Sequence, residues 1–90
     1  MTKRQIELAR HAVGLPNARN RSYRNAFVAG VEHPDHSDWD AMVDAGSALV
    51  HRNMASMAGN DLFWLTRAGA EEALQPGETL DTEDFPSRSQ

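Results

Sequence analysis

The stretch Asp61-Leu62-Phe63-Trp64-Leu65-Thr66, followed at once by Arg67-Ala68-Gly69-Ala70-Glu71-Glu72-Ala73-Leu74, decides how this chain reads. Its first six residues are rich in aromatic and aliphatic side chains and predict a strand over Asp61–Thr66. Thr66 can cap a helix over Arg67–Leu74, which Pro76-Gly77 stops. Gly69, in the first turn, lets that helix lie close against the sheet. Upstream, Ser47–Arg52 (Ser-Ala-Leu-Val-His-Arg) reads as a second strand. The loop Asn53–Asn60 between them ends in Gly59-Asn60, so an antiparallel hairpin is expected. Trp64 alternates with Phe63 and Leu65, so Trp64 and that pair face opposite ways.

Working back from the hairpin, Gly46 ends a helix expected from Asp38 to about Ala45. Ser37 is its N-cap, and Asp38 and Asp40 lie in the first turn, where the helix dipole favours anions. Trp39, Met42 and Val43 give it one apolar face. At the N-terminus, Thr2 and Gln5 have the form of a capping box. Ile6, Ala9 and Val13 follow on one stripe, widened by Leu8 and Ala12, and Gly14-Leu15-Pro16 is a stop; a helix over Lys3–Val13 is predicted. Pro16–Arg21 is a polar loop. Ser22 can cap a short helix carrying Tyr23, Phe27 and Val28, but the same pattern suits an extended segment, so Tyr23–Val28 stays open. From Glu78 onward the chain is acidic and sparse in apolar residues, which predicts a domain over 1–75 and a disordered tail over 76–90.

Ninety residues, 40% apolar and 24% charged, make one small globular domain. With no cysteine, disulfides, thiolate zinc sites and a cysteine nucleophile are excluded, and a reducing cytoplasm fits. No apolar run approaches the roughly 18 residues of a membrane span, and the charged start is not a secretory signal. The net charge of −4 is unevenly divided. Residues 1–25 hold Lys3, Arg4, Arg10, Arg19, Arg21 and Arg24 against Glu7, giving +5, whereas 26–90 carry −9. The basic third can approach phosphate or an acidic protein surface; the remainder repels polyanions.

The run Met42-Val43-Asp44-Ala45-Gly46, then a strand, a loop and a strand closing in Leu65-Thr66 before Arg67-Ala68-Gly69, resembles the second half of a winged helix-turn-helix domain, over about residues 38–74. The resemblance implies a mainly α, winged-helix-like fold of order α-α-α-β-β-α with a small hairpin wing, and DNA reading by the helix before the wing. The chain departs from that implication. Glu32, Asp35, Asp38, Asp40 and Asp44 line this helix and its approach, with no lysine or arginine between Gly30 and Val50. Affinity for a duplex comes from cations displacing counterions, so five carboxylates oppose it. Ser47 also stands where an apolar residue usually seeds the first wing strand.

The wing loop carries Met54 and Met57 and no charge, which suits an adaptable apolar contact with another protein. An outward Trp64 would extend that patch. Arg19, Arg21 and Arg24 around Tyr23 form the one cationic cluster with an interleaved aromatic. His33-Pro34-Asp35-His36 invites a metal, with His11, His51 or Asp38 as further ligands, but Pro34 spoils the helical spacing and no metal or other cofactor is expected. No nucleophile elbow or phosphate-binding glycine loop is present, so the chain reads as non-catalytic. The expected role is a cytoplasmic interaction module that binds a protein partner through Arg19, Arg21, Arg24, Met54, Met57 and Trp64. Small charge-asymmetric domains of this kind are similar to phage or prophage accessory proteins, including inhibitors of host defence complexes. The alternative is a DNA-binding regulator contacting phosphates through the basic N-terminal segment. No membrane contact is expected, and an apolar hairpin can pair with its own copy in a homodimer.

Overall fold

A computed structural model describes residues 1–86. Helix α1 spans Lys3–Val13 and starts on the expected capping box: Gln5 N–H donates to Thr2 Oγ1, and Thr2 N–H to Gln5 Oε1, each at 3.1 Å. It buries Leu8, Ala9, Ala12 and Val13 and ends at Gly14, whose φ of 85° is left-handed. Strand β1 follows at Phe27–Ala29, then helix α2 at His36–Asp44, strand β2 at Ala48–Met54, a single 3₁₀ turn at Ala55–Met57, strand β3 at Asn60–Leu65 and helix α3 at Arg67–Ala73. The three strands form one antiparallel sheet in the order β1-β3-β2.

Three helices and a three-stranded sheet make a mixed α/β fold. This corrects the mainly α order with a two-stranded hairpin. The open segment resolves as extended: no helix forms at Tyr23–Val28, and Phe27, Val28 and Ala29 pair with Phe63, Leu62 and Asp61. β3 needed a second neighbour, because a central strand buried on alternate residues leaves half its backbone groups unpaired without one. Asn25 extends that pairing with its side chain, donating to Leu65 O at 3.0 Å and accepting from Leu65 N–H at 2.8 Å.

The inner face of the sheet packs on α1 and α2. Trp39 lies against Phe63, with centroids 5.5 Å apart and planes at 27°, and against Phe27 at 5.2 Å. Both Trp39 and Phe63 are fully buried, and each side chain of this kind contributes a few kcal/mol on burial. Helix α2 begins two residues earlier than expected, so Ser37 is inside it. Asp35 occupies the cap position without a side-chain cap bond, its carboxylate drawn instead to Arg4 at 2.7 Å. Helix α3 starts as read, with Gly69 N–H donating to Thr66 Oγ1 at 3.1 Å.

The segment 76–86 is a packed strap, not the disordered tail that its composition suggested; 87–90 lie outside the described residues. Few apolar residues suffice because each is anchored. Phe85 is buried in the core, Leu80 is half-buried against it, and Arg67 donates to the carbonyls of Phe85 and Pro86. Arg10 and Glu78 form a bidentate pair at 2.5 and 2.7 Å between α1 and the strap. Ser22 and Thr79 join backbone to backbone at 3.0 Å.

Candidate protein-contact surface

Strand register sorts the sheet into two faces. Phe27, Phe63 and Val50 form one row and Leu65 and Ala48 another, all turned inward. The intervening rows, Val28-Leu62-His51 and Trp64-Leu49, therefore turn outward. Val28 is 40% exposed and Leu49 47%, while Leu62 and Trp64 are half-buried. Helices α1 and α2 both pack on the inner face around Trp39 and Phe63, and α3 meets the outer rows only at Trp64, where Arg67, Ala68 and Glu71 line the adjoining cleft. Trp64 faces outward as one of the two expected orientations, and part of its flank is taken by the strap: Asn25, Trp64, Arg67, Phe85 and Pro86 line one shallow cleft.

The hairpin tip lies at the end of this face. β2 runs on to Met54, past the expected end at Arg52, because an irregularity between His51 and Met54 lets the strand continue around the bend. Met54 and Met57 are each half-buried, so neither reaches fully into solvent nor folds fully into the core. Val31, in the turn after β1, is 79% exposed; Gly30, Val31, Gly59 and Asn60 share one depression near the tip.

The basic cluster is divided by the fold. Arg24 donates to His11 O at 2.7 Å at the C-terminal end of α1, where a cation complements the helix dipole. Its guanidinium also lies 5.2 Å from the Tyr23 ring. Arg21 faces Asp81 of the strap at 3.6 Å. Arg19 is exposed and has no ion-pair partner among the described residues. Arg19, Arg21, Tyr23 and Asp81 line an open cleft, so a carboxylate stands inside the cationic patch. The expected site is divided: Trp64 lies beside the strap's Phe85, Met54 and Met57 are at the far end of the hairpin, and the arginines lie beside the strap's Asp81.

A charged cluster between α2 and the hairpin, with His36 and Asp61 buried and Arg52 and Asp40 nearer the surface, was not legible in the sequence. Asp61, at the inward end of β3, lies 2.8 Å from His36 Nε2, accepts from Arg52 at 3.0 Å and takes the Asn53 N–H at 2.9 Å. Arg52 also pairs with Asp40 at 2.7 Å, and His36 Nδ1 lies 3.4 Å from Asp40. The four side chains close a ring that ties α2 to both hairpin strands. The His36 bond first, then the Asn53 amide and Arg52, hold the Asp61 carboxyl down at about 2. Asp40 and Asp35 are thereby partnered, whereas Asp44 has no ion-pair partner among the described residues. His33 and His36 diverge: His33 Nδ1 accepts the Asp35 N–H at 3.0 Å, and His36 turns to Asp61. Among the described residues no group of three or more His, Asp or Glu is arranged to hold a metal ion, and no helix is long and apolar enough to cross a membrane.

Val28, Leu49 and Leu62 were not singled out as surface residues because Tyr23–Val28 stayed open between a helix and an extended segment, so no third strand defined an outer face. The period-two pattern of Leu49/His51 against Leu62/Trp64 was the available signal. Comparison with models of protein families, with curated proteins and with solved structures found no match.

Proposed function

We propose that the protein is a non-catalytic interaction module that holds a protein partner against the outer face of its sheet. The observation that carries this reading is the pair of rows Val28-Leu62-His51 and Trp64-Leu49, which α1 and α2 leave uncovered and α3 reaches only beside Trp64. Apolar area left in water forgoes about 25 cal/mol per Å², which a partner's apolar surface recovers. The half-exposed Met54 and Met57 at one end supply flexible, polarisable contacts that adapt to a partner's shape. What supports the non-catalytic part is the engagement of the ionisable groups with one another: buried His36 and Asp61 with the more exposed Arg52 and Asp40 in one ring, Arg10 and Glu78 in one pair. The winged-helix-like arrangement draws support from the order α2-β2-β3-α3. It is weakened by the single helix between β1 and β2, where a helix-turn-helix has two. Duplex contact through Arg19, Arg21 and Arg24 has less support, since Arg21 and Arg24 already hold Asp81 and the end of α1.

The test is capture from source cells on immobilised protein, followed by titration with the captured protein once purified. Val28→Asp should weaken that binding at least about tenfold, about 1.4 kcal/mol, while Glu83→Gln on the strap leaves it unchanged. Equal binding by Val28→Asp and the unaltered protein would overturn the proposal.

A further inference from the structure

We infer that the partner on this face inserts an arginine side chain, carried on an extended apolar segment, into the cleft beside Trp64. The inference rests on the outer-face reading and adds to it a subsite of defined chemistry. The cleft lies where the Trp64-Leu49 row meets α3 and the strap, and it encloses about 530 Å³. Trp64, Ala68, Phe85 and Pro86 supply its apolar lining, and Glu71 and Asp84 its carboxylates. Because Trp64 belongs both to the outer row and to the cleft, the two surfaces are continuous.

Two independent features of the cleft ask for a cation. The first is the indole itself. Trp39 is stacked on Phe63 and Phe27, whereas no ring and no guanidinium of the described residues lies over half-buried Trp64. Among aromatic side chains an indole face attracts a cation most strongly. The second is the balance of charge. Asp84 is exposed, and its carboxylate has neither a hydrogen bond nor an ion pair among the described residues. Glu71 stands 3.6 Å from Arg67, beyond normal hydrogen-bond length. The Arg67 guanidinium is directed instead at the carbonyls of Phe85 and Pro86, where it holds the strap. Two carboxylates against one guanidinium leave the cleft negative. It also sits in the part of the chain, residues 26–90, that carries −9 and so steers cations toward it.

Arginine suits this site better than lysine. Its planar, weakly hydrated guanidinium stacks on an indole while its forked donors reach carboxylates, whereas an ammonium is a compact and strongly hydrated point charge. The strand register places the rest of the segment. Trp64 and Leu62 both turn outward, two residues apart on β3, and Leu62 pairs with Val28 in the next row. Residues two apart in any extended chain share a face and stand about 6.4–6.8 Å apart. A segment lying over β3 with its arginine at Trp64 therefore sets an apolar side chain, two residues away, on Leu62 and Val28. That side chain covers Val28, which is now 40% exposed.

The probe is the pentapeptide acetyl-Arg-Ser-Leu-Ser-Val-amide, titrated into the 90-residue chain and followed by the NMR signals of the Trp64 indole N–H and the Val28 amide. Its control is the same peptide with citrulline for arginine, which keeps the shape and loses the charge. The arginine peptide should bind about tenfold more tightly, from a cation–π contact together with a carboxylate contact, and salt should shrink that advantage. Asp84→Asn should remove most of the advantage. Glu83→Gln, which takes one charge from the strap outside the cleft, should keep it; circular dichroism should show both variants folded. Equal binding of the two peptides, no saturable shift with either up to about 10 mM, or the same loss in Asp84→Asn and Glu83→Gln would overturn the inference. Val28→Ser, which adds no charge, separates the two readings. Equal peptide affinities that Val28→Ser weakens would remove the arginine subsite and leave the outer face standing. An arginine advantage with affinities that Val28→Ser leaves unchanged would keep the subsite and remove the outer face.

Discussion

Replacing Gly69 by alanine sets two elementary effects against each other, and the structure says which wins. In an isolated helix the change would stabilise by about 1 kcal/mol, because glycine is the poorer helix former. Here a Cβ on Gly69 would fall 2.0 Å from Ser47 O, 2.8 Å from its carbonyl carbon and 3.0 Å from its Cα. Carbon contacts are comfortable at about 3.5 Å, so α3 would have to withdraw by roughly 1.5 Å. Ser47 cannot yield, since its carbonyl accepts from Thr66 N–H at 3.1 Å and its N–H is bonded to Met42 O at 2.9 Å. Overpacking of this kind costs about 1–3 kcal/mol, and a disturbed Thr66 cap about 1 more. Setting these against the propensity gain leaves a net loss of about 2 kcal/mol, or about 8–16 °C in Tm for a domain of this size. Thermal unfolding by circular dichroism and urea unfolding at constant slope would measure it. Gly46→Ala is the control. It has a φ of +81° but no neighbour within 4 Å, so it should lose only about 1 kcal/mol, from backbone strain alone. A Gly69→Ala protein as stable as the original, or more so, would refute the close approach of α3 to Ser47.

Acid stability should report the ring around Asp61. A carboxyl held below its unfolded value stabilises the fold above that value and loses the contribution as pH falls through the folded one. With Asp61 held at about 2 against an ordinary 3.8, Asp61→Asn should lower Tm clearly at neutral pH and much less near pH 2; an equal deficit at both would contradict the ring. Glu78 is likewise held low by its hydrogen bond to Arg10. Glu78→Ala leaves that arginine unpaired where it is buried, and should cost about 3 kcal/mol while speeding proteolysis within 76–86; an unchanged cleavage rate would mean that the strap is held by Phe85 alone. Duplex DNA titrated at two salt concentrations should show no steep salt-dependent binding. Strong low-salt binding lost with Arg19→Ala would revive the phosphate-contact alternative.

The parts of the fold that local chemistry dictates were readable from the chain. The capping box at Thr2 and Gln5, the stop at Gly14, the Thr66 cap and the strand through Phe63 each follow from residues within a few positions of one another. What escaped depends on distant partners. β1 is three residues long, and Phe27-Val28-Ala29 becomes a strand only because β3 offers a free edge. The strap is sparse in apolar residues, and its order comes from Arg10, Arg67 and a pocket for Phe85. Ser37 is a good cap by type, but Asp35 could start the helix earlier without a side-chain cap. Of the surface, Trp64 was legible through alternation with Phe63 and Leu65. Val28 and Leu49 were not singled out, because an outer face exists only once three strands are side by side.

If the outer face of the sheet holds a protein partner, that partner touches Val28 in the cell. A benzophenone amino acid in place of Val28, irradiated in source cells, should give a discrete adduct whose partner, identified by mass, binds the purified protein; the same group in place of Glu83 should not. No adduct at position 28, or the same adducts from both positions, would contradict it.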